Sequence, residues 1–182
     1  MSASAPKIQA GRRTSANPGR VASPEPIDSP LRRRMPPLLR RAWYGLNQAF
    51  RRRIAHTGVT PDQFTALRTL LEGDPHGLTQ RELTALMSSD PNTVASLLER
   101  MEKSGWIERQ PHESDRRAYR IRVLPSGAAQ YETCRAVATA LQAEVLGVLD
   151  AGDREVFLGQ LARVADACRA AADASPRTSR GA

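Results

Sequence analysis

The chain predicts a mostly helical α+β fold: a winged helix-turn-helix domain flanked by N- and C-terminal helices that form a dimerisation region. Three observations carry that reading. Two capped helices lie almost end to end between Thr79 and Gly105. Directly after them, two short alternating segments are joined by a polar, charged loop. The first and last helices carry apolar stripes that exceed what so small a core can cover.

Composition sets the outer bounds. At 182 residues and 40% apolar, the chain supports one ordinary core with tails. Its net charge of +8 is less ordinary and favours polyanions, nucleic acid before an acidic membrane surface. Arginine-rich chains also reach such a charge for solubility alone, so charge by itself leaves the two readings even. No apolar run approaches the length of a membrane span. Cys134 and Cys168 make neither a disulfide framework nor a metal site, and His56, His76 and His112 have no metal-ligand spacing. There is no Gly-rich phosphate loop, no paired His/Glu metal motif and no nucleophile elbow. The expectation is a cytoplasmic protein that is not an enzyme and needs no cofactor or metal.

Residues 1–36 read as a disordered basic arm. Lys7, Arg12, Arg13, Arg20 and Arg32 to Arg34 face only Glu25 and Asp28, and no apolar periodicity offsets the entropy of ordering. The arm lacks the apolar core of a secretory signal, and prolines from Pro6 to Pro37 discourage the amphipathic helix of a transit peptide.

Residues 37–60 open the dimerisation region. Leu38, Leu39, Trp43, Leu46, Phe50 and Ile54 recur on one side of a helix from Leu38 to Ile54. The winged domain, residues 61–124, follows. Thr60-Pro61-Asp62-Gln63 is a capping box with proline in the first turn, and Phe64, Leu67, Leu70 and Leu71 form the buried stripe up to Gly73. Thr79-Gln80-Arg81-Glu82 is a second capping box, anchored by Leu83, Leu86 and Met87. Asp90-Pro91 caps a third helix that runs to about Ser104 and ends at Gly105. Val94, Leu97, Leu98 and Met101 line its apolar side, with Asn92, Ser96 and Lys103 opposite and Thr93 and Arg100 flanking. Trp106 to Gln110 and Ala118 to Leu124 read as hairpin strands around the loop Pro111 to Arg117.

Residues 125–172 return to dimerisation. A long helix from Pro125 to Leu149 carries Tyr131, Cys134, Ala138, Leu141, Val145 and Val148, and a last helix carries Leu158, Leu161, Ala165, Cys168 and Ala172. Both cysteines sit on these stripes, where thiols act as small hydrophobes, so packing is expected over redox sensing. Residues 173–182 form a flexible tail. Apolar faces left bare at both ends point to a symmetric homodimer.

Four stretches in this order resemble the MarR family of bacterial transcriptional regulators: Leu78 to Leu83, Asp90 to Val94, Leu98 to Arg109, and Asp115-Arg116-Arg117. The resemblance covers Leu38 to Ala171. It implies a dimer with interleaved terminal helices and a winged lobe on each side. By that resemblance Asn92, Thr93 and Ser96 face base edges in the major groove, and Arg100 reaches a base or phosphate. Arg117 enters the minor groove from the wing, with Asp115 shaping the loop. Thr79, Gln80, Lys103 and Arg116 complete the candidate DNA-contacting set. The chemistry agrees: asparagine pairs with adenine, threonine offers a methyl to thymine, and narrow minor grooves attract arginine. The chain departs from the family pattern at Ser88, where glycine is usual, at Ser89, where an apolar residue is usual, and at Leu124, where a capping threonine is usual.

The resemblance also implies a small aromatic or phenolic effector, for which Trp43, Tyr44, His56 and Phe64 are candidate ligand-binding residues. The leading expectation is therefore a ligand-responsive homodimeric repressor on a palindromic operator in double-stranded DNA. A non-specific architectural DNA-binding protein and a thiol-based redox-responsive regulator are the alternatives.

Overall fold

The computed structural model describes residues 34–112 and 118–174. By its contacts the chain divides into Met1–Arg40 and Arg41–Ala182. Of the first unit the described part is residues 34–40, where the opening turns of α1 begin. The core and the candidate site lie in the second.

Helix α1 spans Met35–Ile54 and starts ahead of the expected Leu38, taking in two residues assigned to the arm. Pro36 and Pro37 fall in its first turn, where a missing N–H breaks no intrahelical bond. Of its six-residue stripe only Phe50 and Ile54 are buried; Trp43 and Leu46 are exposed. A short 3-10 turn, Ala55–Thr57, leads to α2, Pro61–Glu72. The capping box forms as the sequence requires: Gln63 N–H donates to Thr60 Oγ1 at 3.3 Å, and Thr60 N–H donates to Gln63 Oε1 at 2.9 Å. Phe64, Leu67 and Leu70 then turn inward, whereas Leu71, also expected inside, is exposed because it falls at the edge of that face.

Strand β1, Leu78–Thr79, precedes α3, Gln80–Leu86, and α4, Pro91–Lys103. The strands β2, Ile107–Pro111, and β3, Tyr119–Val123, pair antiparallel with Arg109 opposite Ile121, giving sheet order β1-β3-β2. The loop of the hairpin, with Asp115, Arg116 and Arg117, lies outside the described residues. Gly77 sits at φ +93°, and a Cβ there would lie 2.7 Å from the Ile121 carbonyl oxygen, so only glycine lets β1 approach β3.

Helix α5, Pro125–Leu146, has no side chain capping its start at Leu124, and it stops short of Leu149 at Gly147. There the Gly147 N–H donates to the Glu144 carbonyl and Leu149 N–H to that of Leu146, so the chain turns. Helix α6 spans Ala151–Ala174 and so runs past the expected end at residue 172.

The core is one cluster shared by α1, α2, α3, α4, α5 and the sheet. Phe64 is its aromatic centre, 4.9 Å from the Phe50 ring and stacked on Tyr131 at 5.4 Å. Arg53 on α1 closes the outside of this layer, pairing with Glu144 on α5 at 2.8 Å. Cys134 is fully buried, 3.7 Å from Thr57 Oγ1, as packing requires. Cys168 departs from that expectation. It is exposed, because α6 buries none of its residues against its own chain. Val145 near the end of α5 and Val148 in the turn after it are exposed as well.

Candidate nucleic-acid interface

Helix α4 is fixed from beneath and open above. Val94, Leu98 and Met101 are fully buried and Leu97 nearly so, which sets the rotation of the helix. Asp90 fixes its start: Oδ1 accepts from the N–H of Asn92 at 2.9 Å and of Thr93 at 3.1 Å. Asn92, Thr93, Ser96, Arg100 and Lys103 are consequently exposed on the other side. Among the described residues, the side chains of Asn92, Thr93, Ser96 and Arg100 make no hydrogen bond or ion pair, so their donors and acceptors are available to a ligand. Asn92 offers a paired donor and acceptor suited to a base edge, and Arg100 a fork of donors suited to base edges and phosphates.

Thr79 and Gln80 stand differently. The Thr79 hydroxyl accepts from Glu82 N–H at 3.2 Å and donates to Glu82 Oε2 at 2.8 Å, so it is committed to capping α3. Gln80 donates through Nε2 to the Pro91 carbonyl at 3.5 Å, bridging α3 to the start of α4. Both organise the helix pair from a half-buried position. Glu82 also accepts from the Thr79 N–H at 2.7 Å. That backbone hydrogen bond, with help from the Thr79 hydroxyl, holds its carboxyl below the usual carboxylate range, against a small opposing effect of burial.

The wing is tied to α4. Arg109 on β2 lies 3.3 Å from Glu102 near the end of the helix. Its Nε has no hydrogen-bond partner, so the contact is a charge pairing without directed geometry. On the other strand, the Arg120 guanidinium donates to the Gly77 carbonyl at 2.9 Å and braces β3 against the approach to α3.

Beside this face lies a cleft of about 540 Å³ between α1, the start of α2 and α4. Trp43, Tyr44, Asn47, Gln48 and Arg51 of α1 line it, with Thr60, Asp62 and Arg100 across from them. Among the described residues no group of His, Cys, Asp and Glu is arranged to hold a metal ion.

The family model described as MarR family matches residues 59–119, which run from the entry to α2 through α4 and into β3. A probable transcriptional regulator from Pseudomonas aeruginosa has the same fold, with a TM-score of 0.66 and 30% identity over 74% of this chain and 98% of that one. The chain belongs to the MarR family. Its members are DNA-binding transcription regulators, so the expectation of a non-enzymatic protein holds on kinship. The HTH-type transcriptional repressor NicR of Pseudomonas putida is 27% identical over 129 residues, which is 71% of this chain and 80% of that protein. The S. aureus MepR–DNA complex superposes with a TM-score of 0.68 over 74% of this chain and 98% of that one; at 20% identity this is a likeness of fold.

Within this MarR-family chain the aromatic candidates separate. Trp43 and Tyr44 line the cleft; Phe64 does not, since its stripe faces α5 and places the ring between Phe50 and Tyr131. His56 is exposed on the 3-10 turn and is not among the lining residues. Sequence reasoning missed Gln48 and Arg51, although Tyr44, Gln48 and Arg51 repeat at four and three residues and therefore share a helix face. It also missed the Glu102–Arg109 link, which no local spacing announces.

Proposed function

We propose that this chain is a homodimeric repressor that reads a palindromic operator and is released by a small aromatic or phenolic effector. The single observation carrying the DNA reading is the outward face of α4: polar groups without partners among the described residues, on a helix whose rotation is fixed by Val94, Leu97, Leu98 and Met101. Asn92, Thr93 and Ser96 contact bases in the major groove. Arg100 and Lys103 contact bases or phosphates, and Arg116 and Arg117 extend the wing into the minor groove, with Asp115 shaping its loop. Thr79 and Gln80 hold the helix pair in register and add backbone contacts at its edge. NicR is named as a repressor and MepR was solved bound to DNA; both support the same reading here.

A second copy of the chain covers the exposed apolar residues at the end of α5 and along α6. Val145, Val148, Val156, Phe157, Leu161 and Val164 are all exposed in the single chain, more than a soluble monomer ordinarily leaves together. The two recognition helices then occupy half-sites about 34 Å apart, one turn of the duplex. Among the described residues no helix is long and apolar enough to cross a membrane, which accords with a regulator acting at cytoplasmic DNA. The aromatic-walled cleft beside Arg100 supports the effector.

Gel-shift titration against the promoter flanking the chain's own gene tests this reading, with bulk DNA as competitor. The expected preference for the promoter is about 4 kcal/mol or more, the scale that separates specific from non-specific binding. Equal affinity for both would leave an architectural DNA-binding role instead.

A further inference from the structure

The β2–β3 hairpin leaves the core between Ile121 and Tyr119. Ile121 is 2% exposed, whereas Tyr119, nearer the loop, is 54% exposed. At that boundary two guanidiniums hold the strands from opposite faces, because side chains alternate along a strand. Arg109, opposite Ile121 in the register, shares a face with buried Ile107 and meets Glu102 in the last turn of α4 at 3.3 Å. Arg120 turns to the other face and donates to the Gly77 carbonyl at 2.9 Å. From this grip to the Pro111–Tyr119 pair is about 7 Å of strand, so the outer hairpin is a cantilever. The two tethers differ in kind. The one to Gly77 is a directed hydrogen bond to the backbone. At the other, Arg109 Nε is buried and finds no hydrogen-bond partner among the described residues, so charge alone draws it to the helix. Glu102 follows fully buried Met101 and therefore sits on a part of α4 that does not rotate.

We propose that Glu102 and Arg109 are positioning residues: their pairing sets the angle of the hairpin to α4, and with it how far along the duplex the wing falls from the base pairs read by α4. The inference rests on the reading of α4 and the wing as DNA-contacting elements. Neither residue of the pair touches DNA in this account, and the carboxylate holds the Arg109 guanidinium away from the phosphates. Without the pair, the hairpin keeps its strand ladder and its Gly77 tether but loses the contact that fixes its inner face. A change of angle at the grip is then carried outward along the remaining strand. Base contacts by α4 persist, since Val94, Leu97, Leu98 and Met101 hold that helix independently. Readout of the flanking base pairs degrades.

The full-length protein is titrated by anisotropy with its best-bound duplex and with a duplex whose flanking A·T pairs, outside the bases read by α4, are exchanged for G·C. Hydroxyl-radical cleavage maps minor-groove protection in parallel. The parent is expected to lose about tenfold in affinity on this exchange. Glu102→Gln and Arg109→Gln are expected to lose about threefold or less, with minor-groove protection displaced or weakened. Both should keep the parent's preference at the base pairs that Asn92→Ala alters, and urea midpoints near the parent's, because a partly exposed pair contributes little to stability. The double variant Glu102→Arg with Arg109→Glu restores opposite charges and is expected to recover the flanking preference, which a role in folding alone does not predict. Full flanking preference in both single variants overturns the proposal. So does a loss spread equally over the flanking pairs and those under α4, which marks the pair as structural. Tighter binding with a steeper salt dependence in Glu102→Gln also overturns it, because Arg109 is then a phosphate contact held in check. A parent that selects the pairs under α4 but shows no flanking preference or minor-groove protection removes the wing reading and this inference with it. A parent without any selectivity fails the reading of α4 itself.

Discussion

Ser88 holds a φ of +49°, the left-handed region, and is the one non-glycine residue to do so among those described. It lies in the turn between α3 and α4, where its N–H donates to the Ala85 carbonyl at 3.1 Å and the Ser89 N–H donates to the Thr84 carbonyl at 3.2 Å. For an L-residue that conformation costs roughly 1–2 kcal/mol, which glycine avoids. Part of the gain returns to the freer unfolded chain, so Ser88→Gly is expected to stabilise by about 0.5–1 kcal/mol. Urea unfolding measures this; a loss of stability would mean that the serine hydroxyl contributes more than the strain costs. Sequence marked this position as unusual but carried no backbone angle. The same limit applies to Phe64 and His56, which the family resemblance offers as pocket residues; the stripe containing Phe64 sends it to the core instead.

Elements whose start is written in side-chain chemistry were legible. Thr60, Thr79 and Asp90 each cap the helix that sequence assigned to them, since an oxygen at the N-cap answers orphan N–H groups locally. Strand β1 was not legible: two residues carry no periodicity, and it exists because Leu78 pairs across to Ile121. The end of α5 and the inward fraction of α1 depend likewise on distant neighbours. The cap of α3 carries its own pH signature. Glu82 is held below its usual pKa, so the stability it supplies is complete above the unfolded-state value and is lost as pH falls through the lower, folded one. Glu82→Gln keeps a hydrogen-bonding side chain and removes that titration. Thermal melts stepped down through the carboxylate range should converge for parent and variant in acid and separate near neutrality. Parallel curves throughout would show that the Thr79–Glu82 box carries no differential charge effect.

For the whole molecule, the proposed homodimer rests on exposed apolar residues at the end of α5 and along α6. Sequence identified the stripes on α5 and α6; the fold buries Tyr131, Cys134 and Leu141 of the first in the core and leaves Val145, Val148 and the stripe of α6 unburied within the chain, with Val148 at 86% exposure. Placing a carboxylate on this face should separate the subunits, because a charge buried without a partner costs several kcal/mol. Leu161→Asp is accordingly expected to shift the light-scattering mass from dimer to monomer and to abolish tight operator binding while leaving the winged lobe folded. A dimer that survives the substitution would mean that other surfaces hold the subunits together. The decisive measurement is selection from a randomised duplex library by the intact protein, beside its Asn92→Ala variant. Paired α4 helices predict enrichment of an inverted repeat whose half-site centres lie about one helical turn apart, and a changed base preference in the variant. Recovery of random sequence by both proteins would contradict the claim that α4 reads DNA.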